Sequence, residues 1–310
     1  MNTLLFTHQA CLDHRTGVDH PECPDRLRAV LRALETEEFM HLDRREAPRA
    51  TTAQLERVHP APYVAAILAA GPAPGETLRH LDGDTVMSAG SVEAALRAAG
   101  AGVAAVDAVM AGEAPRAFCA VRPPGHHAEP AQAMGFCLFA NAAVAARHAR
   151  AAHGLGRVAV VDFDVHHGNG TQAIFERDPT LFYASSHQYP CYPGTGLEDE
   201  TGVGNIVNAT LPPGATGVEF RAAWADRLLP ALEAFAPELL VVSAGFDAHA
   251  RDPLAQLRVR EDDFAWLTEA LCRIADRHAR GRLVSTLEGG YDLNALASST
   301  AAHVRALMLS

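Results

Sequence analysis

The run Val160-Val161-Asp162-Phe163-Asp164-Val165-His166-His167-Gly168-Asn169-Gly170 constrains this chain more than any other. An apolar stretch carries three potential metal ligands at alternate positions, then breaks on two glycines. In an extended strand, residues two apart point to the same side. Asp162, Asp164 and His166 therefore share one face at a strand's end, where a divalent metal can take two of them. An ordinary core strand does not carry two carboxylates there, because burying an unpaired charge is costly. Alone, Asp164 and His166 read equally well as a salt-bridged pair at a strand terminus.

The surroundings of this run favour the metal. Short β-type runs at 4–7, 117–120, 158–162, 181–185, 206–209, 239–243 and 283–286 alternate with helical patterns at 24–37, 91–110, 141–152, 218–235, 262–280 and 293–308. Strand followed by helix, repeated, predicts a mostly parallel sheet covered on both faces. Several strands are apolar throughout, as buried parallel strands are. Four polar clusters follow predicted strands: Arg122-Pro123-Pro124-Gly125-His126-His127, Asp162 to Gly170, Gly245-Phe246-Asp247, and Glu288-Gly289-Gly290-Tyr291. Ligands of open parallel sheets bind outside the carboxyl ends of the strands, so all four clusters are expected on one rim.

Asp247 is the natural third metal ligand; the plainer reading is a helix N-cap. Two carboxylates and a neutral imidazole around Zn²⁺ give a site of net charge near zero. Such a metal acidifies its water less than an all-histidine site does and needs a neighbouring base. The same mixed oxygen and nitrogen set suits Fe²⁺. His249, in a second D-x-H, reads as a loop residue. His126 and His127, on a turn stiffened by two prolines, can serve as a base and its polar partner, or simply pack. Tyr291 follows two glycines that let the backbone come close. Its phenol can donate to a developing oxyanion, although a tyrosine in that setting is more often a packing residue.

Composition narrows the class. The 310 residues, 48% hydrophobic, suffice for one large α/β domain or two small ones; no linker divides them, so residues 1–310 read as one domain. The Pro/Gly-rich stretch 71–75 reads as a surface loop. A net charge of -11 argues against nucleic acid as a partner. All 26 basic residues are arginine, so neither a Schiff-base lysine nor a Walker-type phosphate lysine is available. The six cysteines form no C-x-x-C pair, which argues against a structural zinc knuckle. Scattered cysteines, and an N-terminus (Met1-Asn2-Thr3-Leu4-Leu5-Phe6) too short and uncharged for a signal, suggest a reducing cytoplasm. No apolar run approaches the ~20 residues a membrane span needs. The long polar segment 8–23 is expected to be a functional wall or lid.

Together these motifs resemble the zinc-dependent histone deacetylase superfamily, which includes acetylpolyamine amidohydrolases and bacterial deacetylase-like amidohydrolases. The likeness runs from His20-Pro21-Glu22-Cys23-Pro24-Asp25-Arg26-Leu27 to Leu287-Glu288-Gly289-Gly290-Tyr291, nearly the whole chain. It implies an arginase/deacetylase-type three-layer α/β/α domain with an eight-stranded, mostly parallel sheet. It also implies Zn²⁺ on Asp164, His166 and Asp247, with His127 as general base and acid. His126, held by Asp162, becomes the electrostatic partner of His127, and Tyr291 polarises the carbonyl. Structural K⁺ is implied at Asp162, Asp164, His166, Ser185 and Ser186, and a second monovalent site around Phe175, Asp178 and Leu181. Phe136 and Tyr192 match the walls of an acyl-lysine tunnel, Gly135 and Asp84 the positions that hold substrate amides, and Gly289 and Gly290 the backbone beside it.

The departures from that pattern are Asn169, His249 and the Cys191-Tyr192 pair in the tunnel wall, which bear on acyl-chain preference more than on the reaction, while Gly168 and Leu254 separate subclasses. Asn169 lies where some relatives place an Asp against the base histidine; a neutral partner leaves His127 available as a base near pH 7. Gly168 stands where two-metal relatives carry a bridging Asp, which implies a mononuclear centre. Leu254, after Asp252-Pro253, stands where polyamine-selective relatives carry a Glu. The expected partner is therefore an acylated lysine peptide or small acylated amine, with no nucleic acid, no membrane and a possible homo-oligomer. The competing readings are an acetylpolyamine deacetylase and a catalytically silent acyl-lysine-binding module.

Overall fold

The computed structural model describes residues 3–310; Met1 and Asn2, part of the N-terminal expectation above, lie outside the described residues. In chain order the elements are β1 (Thr3–Thr7), α1 (Pro24–Ala33), β2 (Leu42–Glu46), α2 (Thr52–Leu55), α3 (Ala61–Leu68), β3 (Arg79–His80), β4 (Val86–Met87), α4 (Ser91–Met110), β5 (Arg116–Cys119), α5 (Asn141–His153), β6 (Val158–Asp162), α6 (Asn169–Phe175), β7 (Leu181–Gln188), β8 (Ile206–Leu211), α7 (Gly217–Ala223), α8 (Leu229–Phe235), β9 (Leu239–Ala244), α9 (Glu261–His278), β10 (Leu283–Leu287) and α10 (Leu293–Leu309).

Eight strands form one all-parallel sheet in the order β2-β1-β5-β10-β9-β6-β7-β8. The four strands that precede the polar clusters, β5, β10, β9 and β6, are consecutive and central. Because all run the same way, their carboxyl ends open on one rim, as the sequence predicted. Asp162 at the end of β6 pairs in register with Ser243 of β9 and Ser185 of β7. Central strands such as Leu239-Leu240-Val241-Val242 are wholly buried, and each such side chain contributes about 1.5–3 kcal/mol by leaving water.

Local chemistry sets the helices. Helix α1 starts with Pro24 at its first position and Asp25 in its first turn, both suited to a helix N-terminus. Helix α10 is capped by Asp292, whose side chain accepts from the Ala295 N–H at 2.8 Å. The single helix predicted over 218–235 is instead α7 and α8 joined by a wide π-type turn, Trp224–Leu228. Pro230 has no N–H to donate back along the chain, and the widened turn absorbs that gap. Among the described residues, no helix is long and apolar enough to cross a membrane.

Candidate active site

The rim gathers the predicted residues around one cavity of about 230 Å³, lined among others by His126, His127, His166, Gly289 and Tyr291. Asp164, His166 and Asp247 are buried, and their ligand atoms lie within 4.8 Å of one another. His166 Nδ1 is 3.1 Å from Asp164 Oδ1 and 3.1 Å from Asp247 Oδ2. The other oxygen of each carboxylate is fixed by backbone: Gly289 N–H donates to Asp164 Oδ2 at 2.8 Å and Val165 N–H to Asp247 Oδ1 at 2.8 Å. Gly289 can approach so closely because it has no side chain; a Cβ there would sit 2.2 Å from Asp247 Oδ2.

This donor set fits a divalent cation. Three lone-pair donors meet at one point, held from behind by main-chain N–H groups. Burial drives the Asp247 carboxyl up to about 6, and the neighbouring Asp164 charge adds to the rise. Burial also opposes charge on His166, but its hydrogen bonds to Asp164 and Asp247 win and raise it well above the ordinary imidazole range. The cluster thus calls for a positive charge, which a metal ion would supply in place of the proton. His249 stands apart: its Nε2 lies 3.4 Å from Glu261 Oε2, and among the described residues it belongs to no cluster of potential ligands.

The two histidines are differentiated by their partners. His126 Nδ1 lies 2.9 Å from Asp162 Oδ2 and its Nε2 3.7 Å from Asp164 Oδ2. Burial lowers its basicity, yet the charges of Asp164 and Asp162 outweigh this and raise it to about 10. His127 Nδ1 lies 2.8 Å from Asn169 Oδ1, while the Asn169 amide donates to Glu129 Oε1 at 2.9 Å. That network orients Asn169 as the acceptor, so His127 carries its proton on Nδ1 and leaves Nε2 with a free lone pair. Burial, followed by the nearby charges of His126 and His166, holds His127 well below the usual imidazole range. A neutral imidazole with a free Nε2 lone pair is able to act as a base.

Aromatic residues enclose the approach. Tyr192 lies edge-on to His127, centroids 5.1 Å apart, and Phe136 edge-on to Tyr291 at 6.0 Å. Gly135 (φ +55) turns beneath the His127 ring, where a Cβ would come within 2.5 Å; Phe136 itself adopts φ 69, a conformation costly for a residue with a side chain. Asp84 and Leu254 complete the lining, Leu254 at 37% exposure. The polar segment 8–23, expected as a wall or lid, backs the lining residues without lining the cavity itself. His20 packs edge-on against Phe136 at 4.9 Å, and the segment is pinned from below. Arg122 donates to the carbonyls of Cys11 and His14 and grips Glu22 with both arms, at 2.5 and 2.7 Å.

At the expected monovalent sites, Ser185 Oγ lies 2.9 Å from His187 Nδ1, and Ser186 Oγ accepts from Trp224 Nε1 at 2.9 Å. The carbonyls of Phe175, Asp178 and Leu181 do converge, but on the side-chain amide of Asn205.

Several supporting residues had no role assigned from sequence. Glu288 Oε2 accepts from the N–H groups of Gly125 and His126 at 2.6 and 3.2 Å, and Oε1 from Ser243 Oγ at 3.1 Å. It thereby ties β9 and β10 to the histidine turn. Tyr183 donates to Asp162 Oδ2 at 3.1 Å. Asp252 accepts from the N–H groups of Tyr291 and Leu254 at 2.8 and 2.9 Å, joining the cavity floor to its mouth. Glu22, Arg26, Arg122 and Glu288 sit inside the quoted motifs. Their polar character next to strand ends and glycines was the available signal.

Known proteins are similar to this chain in sequence and in fold. A family model described as "Histone deacetylase domain" matches residues 20–307. The chain is 43% identical over 312 residues to a histone deacetylase-like amidohydrolase of Pseudomonas aeruginosa, covering 93% of this chain and 81% of that one. It is 39% identical to the chloroplastic histone deacetylase 14 of Arabidopsis thaliana, covering 98% and 76%. The crystal structure of the HDA15 HD domain superposes with a TM-score of 0.92 at 35% identity, over 99% of this chain and 88% of that one. An all-parallel eight-stranded sheet, these clustered rim residues and a family match across 20–307 lead to one placement: the chain belongs to the histone deacetylase family.

Proposed function

We propose that this protein is a metal-dependent amidohydrolase that removes acetyl or related acyl groups from the side-chain amine of lysine or a similar acylated amine. The observation that carries the reading is the placement of His127, Tyr291 and His166 on one cavity, with Asp164 and Asp247 each 3.1 Å from His166 Nδ1. One divalent ion, zinc, is assigned to those three residues; when bound it supplies Lewis-acid polarisation of the amide carbonyl and acidifies a water.

The chain's own residues do the rest. Phe136 and Tyr192 sandwich the alkyl chain that precedes the amide and exclude water from it. His127 Nε2 takes the proton of the attacking water, because Asn169 keeps the other ring nitrogen protonated. The Tyr291 phenol, which burial keeps protonated despite the opposing pull of Arg26, donates to the carbonyl oxygen as it gains charge. His126, charged through Asp162 and Asp164, stabilises the negative charge accumulating there. His127 then delivers its proton to the leaving amine nitrogen, and the C–N bond breaks to give a carboxylic acid and an amine, the acid's remaining proton passing to the amine so that they leave as carboxylate and ammonium.

Leu254 at the mouth favours an uncharged or peptide-borne acyl amine over an acetylpolyamine, since a leucine offers an ammonium group nothing. A structural K⁺ is assigned to the Asp162, Asp164, His166, Ser185 and Ser186 locus. All six cysteines are free thiols, which supports a reducing cytoplasm. A panel of acyl-lysine peptides, acetylpolyamines and simple acyl amides, with a hydroxamate chelator as control, tests the assignment. Acyl-lysine hydrolysis abolished by the chelator is expected. Silence on every substrate by metal-loaded protein would favour the binding-module reading.

A further inference from the structure

Asn205 is buried, at 4% exposure, one residue before β8. Its Nδ2 lies 2.8 Å from the Phe175 carbonyl oxygen, 3.0 Å from that of Asp178 and 2.7 Å from that of Leu181. An amide nitrogen has two protons, yet three acceptors surround it. Three carbonyl dipoles aimed at one point form a concentrated negative field, and such a cradle calls for positive charge. The carbonyls of Phe175 and Asp178 already accept one main-chain N–H each, from Asp178 at 2.9 Å and Leu181 at 3.0 Å. One lone pair of each remains, and it faces the amide.

The amide's orientation is fixed from its other end. The Val203 N–H, shared with the Glu176 carbonyl at 2.9 Å, points at Asn205 Oδ1 at 3.2 Å. Turning the amide over, so that Oδ1 faced the cradle as a cation ligand would, sets the NH₂ against the Val203 N–H, donor to donor. The charges around the cradle are also wrong for a second cation. The Asp178 carboxylate turns away to Arg147 at 2.5 Å and Arg150 at 3.2 Å. The Arg147 guanidinium also donates to the Ile174 carbonyl at 3.2 Å, one residue before Phe175. Two guanidiniums thus stand at the rim against the single Asp178 carboxylate that they share.

We infer that the Asn205 side-chain amide takes the place of a monovalent cation among the carbonyls of Phe175, Asp178 and Leu181. The residues at this second locus do not fit an ion, because a neutral donor of the chain already fills it. The clip is permanent: it ties the C-terminal end of α6 to β8 at any salt concentration. The N-terminal end of α6 carries Asn169, the partner of His127. The inference stands apart from the hydrolysis reading, since it concerns ion occupancy and not turnover.

Anomalous diffraction from crystals of the whole protein grown in RbCl tests it, on the wild type and on Asn205→Ala. The wild type is expected to show no rubidium between the three carbonyls, and Asn205→Ala to show a peak there. A rubidium peak at that point in the wild type overturns the inference. So does an empty cradle in Asn205→Ala, which would make the amide an ordinary hydrogen-bonding residue. Melting temperatures in KCl and in tetramethylammonium chloride give a second readout. The variant is expected to gain several degrees more from K⁺ than the wild type, and equal gains contradict the stand-in role. Should Asn205→Ala fail to fold, Asn205→Ser takes its place, and the wild-type rubidium map decides on its own.

Discussion

The Arg26 guanidinium lies 4.8 Å from the centroid of the Tyr291 ring. It is fully buried, and it also donates to the carbonyls of Gly290 at 2.6 Å and Glu288 at 2.5 Å. Glu22, 3.0 Å away, balances its charge and is itself held by Arg122. A residue from the first helix therefore fixes the backbone that presents Tyr291 and places a cation against its ring. Tyr291→Phe removes only the phenol oxygen. It is expected to lower kcat by about 10²–10³ with the melting temperature and metal content unchanged.

Arg26→Met differs in kind. It takes a guanidinium from two carbonyls and from buried Glu22, so stability should fall by about 3–5 kcal/mol, as when a buried pair is broken. Misplacement of Tyr291 should cost about 10²-fold in kcat. Thermal unfolding together with steady-state kinetics separates the two variants. Equal melting temperatures for Arg26→Met and wild type would contradict the anchoring role.

Asn169 Oδ1 lies 2.8 Å from His127 Nδ1, so a change at Asn169 tests the proposed base. In Asn169→Asp the imidazolium gains a carboxylate partner, so the His127 pKa rises. The unprotonated base is then reached only at higher pH. The acidic limb of kcat/KM is expected to move up by about one pH unit or more. A limb that stays where it is in the wild type would argue that His127 is not the base.

His303 bridges Thr268 Oγ1 at 2.7 Å and Ser285 Oγ at 2.8 Å inside the core, and burial lowers its pKa from 6.5 to about 3. The unfolded chain takes up a proton below pH 6.5 that the folded chain refuses. Stability is therefore lost as pH falls through that range, by about 1.4 kcal/mol per pH unit for this one group. His303→Gln should flatten the fall between pH 6.5 and 5 in urea unfolding. An unchanged slope would show that other groups govern the acid limb.

The parts of this fold that could be read from sequence are those where burial leaves a one-dimensional trace. Strand β6 was legible to the residue, because Val158 to Val161 is an unbroken apolar run ending in a carboxylate. Strand β2, Leu42-Asp43-Arg44-Arg45-Glu46, was not. It lies at the sheet's edge, one side open to water, and its residues read as a charged loop. Helices α2 and α3 are too short for a period to emerge. In the site, Asp164, His166, His127 and Asp247 announced themselves by spacing after strands. Asp252 and Tyr183 did not, since they act through partners 39 and 21 residues away. Asn205 gave no signal either: the carbonyls it fills belong to other segments, and backbone leaves no mark in the sequence.

Leu254 makes substrate choice testable. Leu254→Glu places a carboxylate at the cavity mouth, where a substrate ammonium would meet it. The ratio of kcat/KM for acetylspermidine over an acetyl-lysine peptide is expected to rise by about tenfold, the scale of one exposed-to-half-buried ion pair. No change in that ratio would remove Leu254 as a determinant of selectivity.

In the proposed chemistry a single divalent ion is held by Asp164, His166 and Asp247. The most direct test is a titration of chelator-stripped protein with Zn²⁺, following acyl-lysine hydrolysis and bound metal together, for the wild type and for Asp164→Ala and Asp247→Ala. Wild-type activity should rise from zero in proportion to metal and saturate at one equivalent per chain, while both variants bind at least tenfold more weakly and stay inactive. Full hydrolysis by the metal-free wild type, or by either variant, would contradict it.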